Sequence, residues 1–349
     1  MGANISDTRN TEFAVVENDL ENLEYSLVEN PDDVFDDSFE PQVCDISDLD
    51  GDAAAQARFI DRLGAAMADV GLAILINHGA EAVLPRAADA ALQMFTTTPL
   101  EQKLRFVASD CTFGEPLQMG YIPLQESTPS LPNSVEAWEL DKAAFRIPGE
   151  DAEKALTFWP DERFEVALRP YWQACERLVL PLVHAMFRYL GVDPSLYDDE
   201  LSPPNSVLRF NHYPPIDDAV ADSGKTGRVI AHEDYGLITL LPATPVEGLQ
   251  LYHPRNKTWS RLRAPAGSFV LNSGDWLKMI SNDHFHSCTH RVSVPRDRAQ
   301  RAVPRLTIPY VVHPHETSIV EVLPGFQPKY QPISGRDFMM RLAARYLDR

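Results

Sequence analysis

The chain has 349 residues, 44% of them hydrophobic and 23% charged, the proportions of an ordinary soluble protein with a sizeable buried core. Lysine and arginine number 31 against 51 aspartates and glutamates, a formal net charge of −20 that argues against a nucleic-acid partner or an anionic membrane surface. No apolar run approaches the roughly 20 residues that span a bilayer, and the four cysteines, Cys44, Cys111, Cys175 and Cys288, form no C-x-x-C pair, so a reducing, cytoplasmic setting is expected.

Residues 1–40 hold twelve acids and one base, Arg9, and are expected to form a solvated, disordered acidic arm rather than an interaction tail. From residue 41, PQVCDISDLDG reads as a short strand and turn. Ala53 to Val70 reads as a helix, with Phe59, Leu63, Met67 and Val70 at helical spacing and Gly71 at its stop. LAILINHG is expected to be a buried strand ending in a turn that His78 supports. A second helix is predicted from Ala82 to Phe95. Residues 109–137 are rich in Pro, Gly, Ser and Thr, and the part from 111 to 137 is expected to be a long substrate loop. The longest helical pattern occupies 161–190, which Pro170 and Pro181 should bend or divide.

Beyond Pro204 the pattern becomes β-rich. SVLRFNHY, GRVIAH, LITLL, LQLYH, TWSRL, SFVLN, SCTHRVSV and RLTIPYVVH are separated by Gly, Pro, Asn and Asp. Eight strands at this spacing predict a sandwich or a small barrel such as a jelly roll. A last helix is expected near the C-terminus, with Ser334 as its N-cap. The chain is therefore read as mainly β with flanking helices: an N-terminal helical and β region over 41–200, and a jelly-roll core with a C-terminal helix over 201–349.

Within the β-rich half, His232 and Asp234 stand two apart in AHEDYG, and in a strand such residues face the same way. Alone, this pair is a polar strand end. His290, in the seventh strand pattern, makes it a set of two imidazoles and one carboxylate. That set holds Fe(II) on one octahedral face and leaves positions open for substrate and O2; zinc could use the same ligands. The pairs His284 and His286, and His313 and His315, are read as loop or surface histidines. Arg305 opens the last β pattern, with Thr307 two residues on. A guanidinium fork plus a hydroxyl suits a carboxylate, and Tyr213 could add a donor from the first strand. Beside an open metal site, these residues point to a cosubstrate with a carboxylate at one end and a chelating group at the other, the shape of 2-oxoglutarate.

The segments that carry these residues resemble the iron(II)/2-oxoglutarate dioxygenase superfamily, in its isopenicillin N synthase-like branch. RFNHYPP is similar to the branch's Asn-x-Tyr-Pro segment, which adds Asn211 to the cosubstrate candidates. HEDYGLITLL, EGLQLYHPRNKTWSRL, FVLNSGDWLKMISND, SCTHRV and RLTIPYVVHP follow in the family's order, and ADVGLAILINHG resembles its N-terminal region. The likeness covers roughly residues 40–349. Three features depart from the pattern. Glu233 stands where the family has Thr or Ser and should point away from the metal, Thr307 stands for Ser, and RDRAQRAVP lengthens the gap from His290 to Arg305. That longer gap resembles microbial and fungal members such as thymine hydroxylase; Arg296, Arg298 and Arg301 within it are rivals of Arg305.

The resemblance implies an enzyme in which His232, Asp234 and His290 bind Fe(II), while Arg305, Thr307, Tyr213 and Asn211 bind 2-oxoglutarate. O2 is consumed, succinate and CO2 are released, and a small-molecule substrate is hydroxylated, desaturated or cyclised. Tyr121, Trp138, Phe338 and Arg341 are candidate substrate contacts, with packing as the competing role of each. The alternatives are an iron oxidase of the same fold that needs no 2-oxoglutarate, a ligand-binding protein on an inactive scaffold, and a zinc hydrolase. A monomer or weak homodimer is expected.

Overall fold

The computed structural model describes residues 25–107, 119–124, 134–223 and 226–347. Two sheets face each other. The larger has nine strands: β1 (Val43–Asp45), β2 (Leu72–Ile76), β3 (Gly120–Ile122), β4 (Glu136–Asp141), β5 (Asn205–Tyr213), β7 (Ile238–Pro242), β10 (Phe269–Ser273), β12 (Arg305–Thr307) and β13 (Tyr310–His313). Its order is β1-β2-β10-β7-β13-β5-β4-β3, with β12 also paired to β5. The smaller is β6 (Val229–His232), β11 (His290–Val292), β8 (Leu249–His253) and β9 (Thr258–Arg261), in that order. β5 to β13 form the expected jelly roll, and β1 to β4 extend its larger sheet at both edges.

The period of two along each strand sorts the core into two layers. Ala73 and Leu75 of β2, Leu240 of β7 and Phe269 and Leu271 of β10 face the helices. Their neighbours Leu72, Ile74, Leu241 and Val270 join Leu249, Leu251 and Val292 inside the barrel. The helices Ala53–Asp69, Leu84–Thr96 and Glu162–Leu190 cover the outer face. All eight β-rich runs form strands, but the last is cut in two at Ile308 and Pro309. Pro309 donates no ladder bond, and its carbonyl instead accepts from Arg209 N at 3.0 Å.

Several expectations are corrected. Pro170 and Pro181 do not divide the long helix, which runs unbroken from Glu162 to Leu190. Burial of Phe164, Leu168, Trp172, Val179 and Met186 along one face outweighs the lost backbone bonds. Asp161 caps its start and Gly191, at φ 72°, its end. The stretch 111–137 is not one loop: β3 and β4 pair antiparallel within it, Tyr121 opposite Trp138, and residues 111–118 and 125–133 lie outside the described residues. Of the acidic arm, residues 1–24 also lie outside them, but residues 25–40 pack against the smaller sheet. Asp36 N donates to Trp259 O and Trp259 N to Val34 O, both at 2.8 Å. Among the described residues no helix is long and apolar enough to cross a membrane.

Candidate metal and cosubstrate site

The smaller sheet brings the three metal candidates together. β6 and β11 pair antiparallel with His232 directly opposite His290, and Asp234 follows β6 by two residues. Asp234 Oδ1 lies 3.8 Å from His232 Nε2 and 4.0 Å from His290 Nε2. One ligand atom from each of the three residues falls within 4.8 Å of the others.

Local hydrogen bonds present each group as a ligand. His232 Nδ1 is 2.8 Å from Ile230 O and His290 Nδ1 is 3.0 Å from Cys288 O. Each Nδ1 therefore carries the proton and donates it to its own strand, which leaves the Nε2 lone pair for a metal. Thr239 Oγ1 donates to Asp234 Oδ2 at 2.6 Å, so Oδ1 is the free oxygen. Burial, then the neighbouring His290, pushes His232 down to about 4, and a neutral imidazole is what a metal needs. Burial alone would raise Asp234, but the two imidazoles and Thr239 outweigh it and hold the carboxyl below its ordinary value. The donor set thus fits a divalent metal ion.

The turn after Asp234 is held from behind. Asp275 N donates to Asp234 O at 2.8 Å and Trp276 N to Gly236 O at 3.3 Å. A Cβ on Gly274 would meet Gly236 O at 2.2 Å and Asp234 O at 2.6 Å. That close approach is why glycine stands between the strand FVLNS and DW. Glu233 points away from the ligands as expected; its Oε1 accepts from Tyr25 OH at 3.1 Å and Thr289 Oγ1 at 2.5 Å.

The cosubstrate candidates meet across β5 and β12, where Arg305 pairs with Tyr213 and Thr307 with Asn211. Arg305 is 1% exposed. Its Nε donates to Val246 O at 3.3 Å, and both Nη atoms lack a hydrogen-bond partner. The guanidinium carbon lies 5.1 Å from the Tyr213 ring centre. Asn211 spends its carbonyl oxygen on Arg209 Nε at 2.8 Å, leaving its amide nitrogen as the group to offer. The rivals are occupied elsewhere: Arg301 is paired with Asp218 and Asp222, and exposed Arg298 reaches the same two acids, while Arg296 is exposed.

The four candidate substrate residues do not gather at this site. Tyr121, Trp138 and Phe338 are buried in the helix-side core, and Tyr121 OH donates to Glu136 Oε2 at 2.5 Å. Arg341 is half-buried on the helix Gly335–Leu347. Of two further histidines, one meets its expectation and the other does not. His78 supports its turn, with Nε2 2.8 Å from Gly267 O. His313 is not a surface residue: it is buried in β13 close to Asp234, and burial pushes it down to about 4. Thr239, within the matched segment HEDYGLITLL, was not singled out as a partner of Asp234, because that contact forms only when β7 folds beside the turn.

Two family models match complementary parts of the chain. One is described as the 2OG-Fe(II) oxygenase superfamily and covers residues 204–314, which hold every metal and cosubstrate candidate. The other is described as the non-haem dioxygenase in morphine synthesis N-terminal region and covers 42–162. The chain belongs to the 2-oxoglutarate/Fe(II) oxygenase superfamily. It is an oxidoreductase that uses Fe(II), 2-oxoglutarate and O2. This oxygenase is similar to a bi-functional coumaroyl CoA and feruloyl CoA ortho-hydroxylase of Ipomoea batatas, at 27% identity over 76% of this chain and 70% of that one. It is also similar to a proline hydroxylase of Petromyces alliaceus, at 28% identity over 77% of this chain and 85% of the other. In fold it matches the crystal structure of a full-length Neurospora crassa protein in complex with alpha-KG and thymine, with a TM-score of 0.76, 24% identity, and coverage of 92% of this chain and 99% of that one.

Proposed function

We propose that this oxygenase hydroxylates a small-molecule substrate while 2-oxoglutarate is oxidatively decarboxylated to succinate and CO2, with His232, Asp234 and His290 as the iron ligands. One observation carries the reading: a three-residue donor set with free ligand atoms lies in the same barrel as a buried Arg305 whose Nη atoms have no protein partner. Fe(II), when bound, supplies the oxidising chemistry that the side chains lack.

The protein's own work is positioning. His232 and His290 offer Nε2 because each Nδ1–H is spent on a backbone carbonyl, and Asp234 offers Oδ1 because Thr239 occupies Oδ2. Arg305, Thr307 and Tyr213 orient the distal carboxylate of 2-oxoglutarate. The leucines and valines between the sheets exclude water from that end of the site. The net charge of −20 and the hydroxylase names of the two relatives support a small molecule over a nucleic acid.

The test is a succinate-release screen of the purified Fe(II) protein across small-molecule classes. Succinate that rises with one class, and is absent in His290→Ala, is the expected result. Oxygen uptake with no 2-oxoglutarate consumption in any class would overturn the reading.

A further inference from the structure

Arg305 is not the only buried guanidinium in the barrel wall whose Nη atoms lack a hydrogen-bond partner. Arg228, immediately before β6, is also 1% exposed, and neither of its Nη atoms has a hydrogen-bond partner. Its backbone is fixed on both sides: N donates to Val292 O at 2.9 Å, and O accepts from Ser134 N at 3.3 Å. Its guanidinium carbon lies 5.7 Å from the centre of the Tyr213 ring, the same ring that Arg305 approaches to 5.1 Å. Burial, then the charge of Arg305, pushes Arg228 down to about 10. Among the described residues no carboxylate forms an ion pair with either arginine.

Two buried cations that repel each other, with four Nη atoms unspent, are a costly arrangement for a protein to hold by itself. The arrangement makes sense when a ligand brings the missing negative charge. A carboxylate has two oxygens and about four acceptor sites, enough for two forks and a hydroxyl. We propose that Arg228 and Arg305 hold the distal carboxylate of 2-oxoglutarate between them, so that Arg228 is a second anchor for the cosubstrate. This rests on the assignment of Arg305 as the first anchor.

The experiment is calorimetric titration of two 2-oxo acids into the Mn(II)-loaded protein, without substrate or oxygen. 2-Oxoglutarate carries the distal carboxylate; 2-oxobutyrate has the same chelating end without it. Arg228→Gln is expected to weaken 2-oxoglutarate ten- to hundredfold, the usual yield of lost charge-assisted bonds, and to leave 2-oxobutyrate and Mn(II) affinity unchanged. Arg228→Lys, which keeps charge and most of the bulk, should fall between and serves if the glutamine variant does not fold. An unchanged 2-oxoglutarate affinity in Arg228→Gln would overturn the proposal, as would an equal loss for both oxo acids, which marks a general disturbance of the barrel. Arg305→Lys tells this failure from that of the parent reading. If it weakens 2-oxoglutarate while Arg228→Gln does not, only the second anchor is wrong. If it binds 2-oxoglutarate as wild type does, the clamp itself is wrong.

Discussion

Thr239 decides which oxygen of Asp234 is left for the metal. It sits on β7, in the larger sheet, and reaches across to the turn that follows β6 in the smaller one. Thr239→Val removes the hydroxyl at nearly constant volume and frees the carboxylate to rotate. Bonds of this kind to a ligating group are worth about ten- to hundredfold in metal affinity. A loss in that range is expected when Co(II) is titrated into the metal-free variant and followed by its visible absorbance. Wild-type affinity would mean that Asp234 is oriented by its backbone alone. Asp234→Glu tests the same point from the other side: one added methylene misplaces the oxygen by about 1 Å, a displacement that can cost ~10²-fold in turnover. Succinate release by the two proteins side by side measures it.

At the scale of elements, residues 25–40 act as a strap across the back of the ligand-bearing strands. The acids of this segment meet arginines of the smaller sheet. Asp33 Oδ2 pairs with Arg291 Nη2 at 2.6 Å, with side-chain exposures of 6% and 1%, and Glu29 pairs with Arg261 at 2.9 Å. Ala231 N donates to Leu27 O at 2.8 Å, and the guanidinium of Arg291 stacks on Trp259 at 3.8 Å. Arg291 follows His290 directly and Ala231 precedes His232, so the strap bonds to both ligand strands on their outer face. Asp33→Ala would leave Arg291 buried without its carboxylate, a change that costs about 3–5 kcal/mol. Urea denaturation should show a lower midpoint and an unfolding free energy reduced by that amount. A midpoint equal to wild type would show that the strap contributes no stability to the sheet.

For the whole molecule, one buried carboxylate joins the N-terminal region to the barrel. Glu136 of β4 receives Lys103 Nζ at 2.8 Å, Tyr121 OH at 2.5 Å and His212 Nδ1 at 2.7 Å. Those partners come from a helix end, β3 and β5. Burial alone would raise Glu136, but His212, Lys103 and Tyr121 overcome it and hold the carboxyl at about 2, down from the ordinary 4.5. Because the folded value is the lower one, the ionised group stabilises the fold fully above 4.5 and loses that contribution as pH falls towards 2. Glu136→Gln strands Lys103 and should cost about 3–5 kcal/mol near neutral pH. The gap between variant and wild type should narrow as the pH of the denaturation series falls through that window. A gap that stays constant with pH would show that Glu136 is not the titrating link.

What the sequence determined by itself is what local pattern can encode. Short β-rich runs punctuated by Gly, Pro, Asn and Asp point to a sandwich or a small barrel such as a jelly roll, whose central strands bury both faces. The pairing of His232 with Asp234 was legible from their spacing, although Asp234 lies in the turn after β6 rather than on the strand, and Ser334 caps its helix, its Oγ accepting from Asp337 N at 3.1 Å. The long-range matches were legible only through the likeness of whole segments to a known family. Tertiary structure alone decided the rest, because each remaining feature needs two distant segments in register. Tyr121 and Trp138 became core residues once β3 paired with β4. An acidic arm that reads as solvated was docked by arginines more than two hundred positions away. His313 was drawn from an apparent surface pair to the neighbourhood of Asp234, and Arg228, which no sequence pattern singles out, became a buried charge beside Tyr213. Burial and unsatisfied hydrogen bonds are properties of packing, and no spacing of residues along the chain carries them.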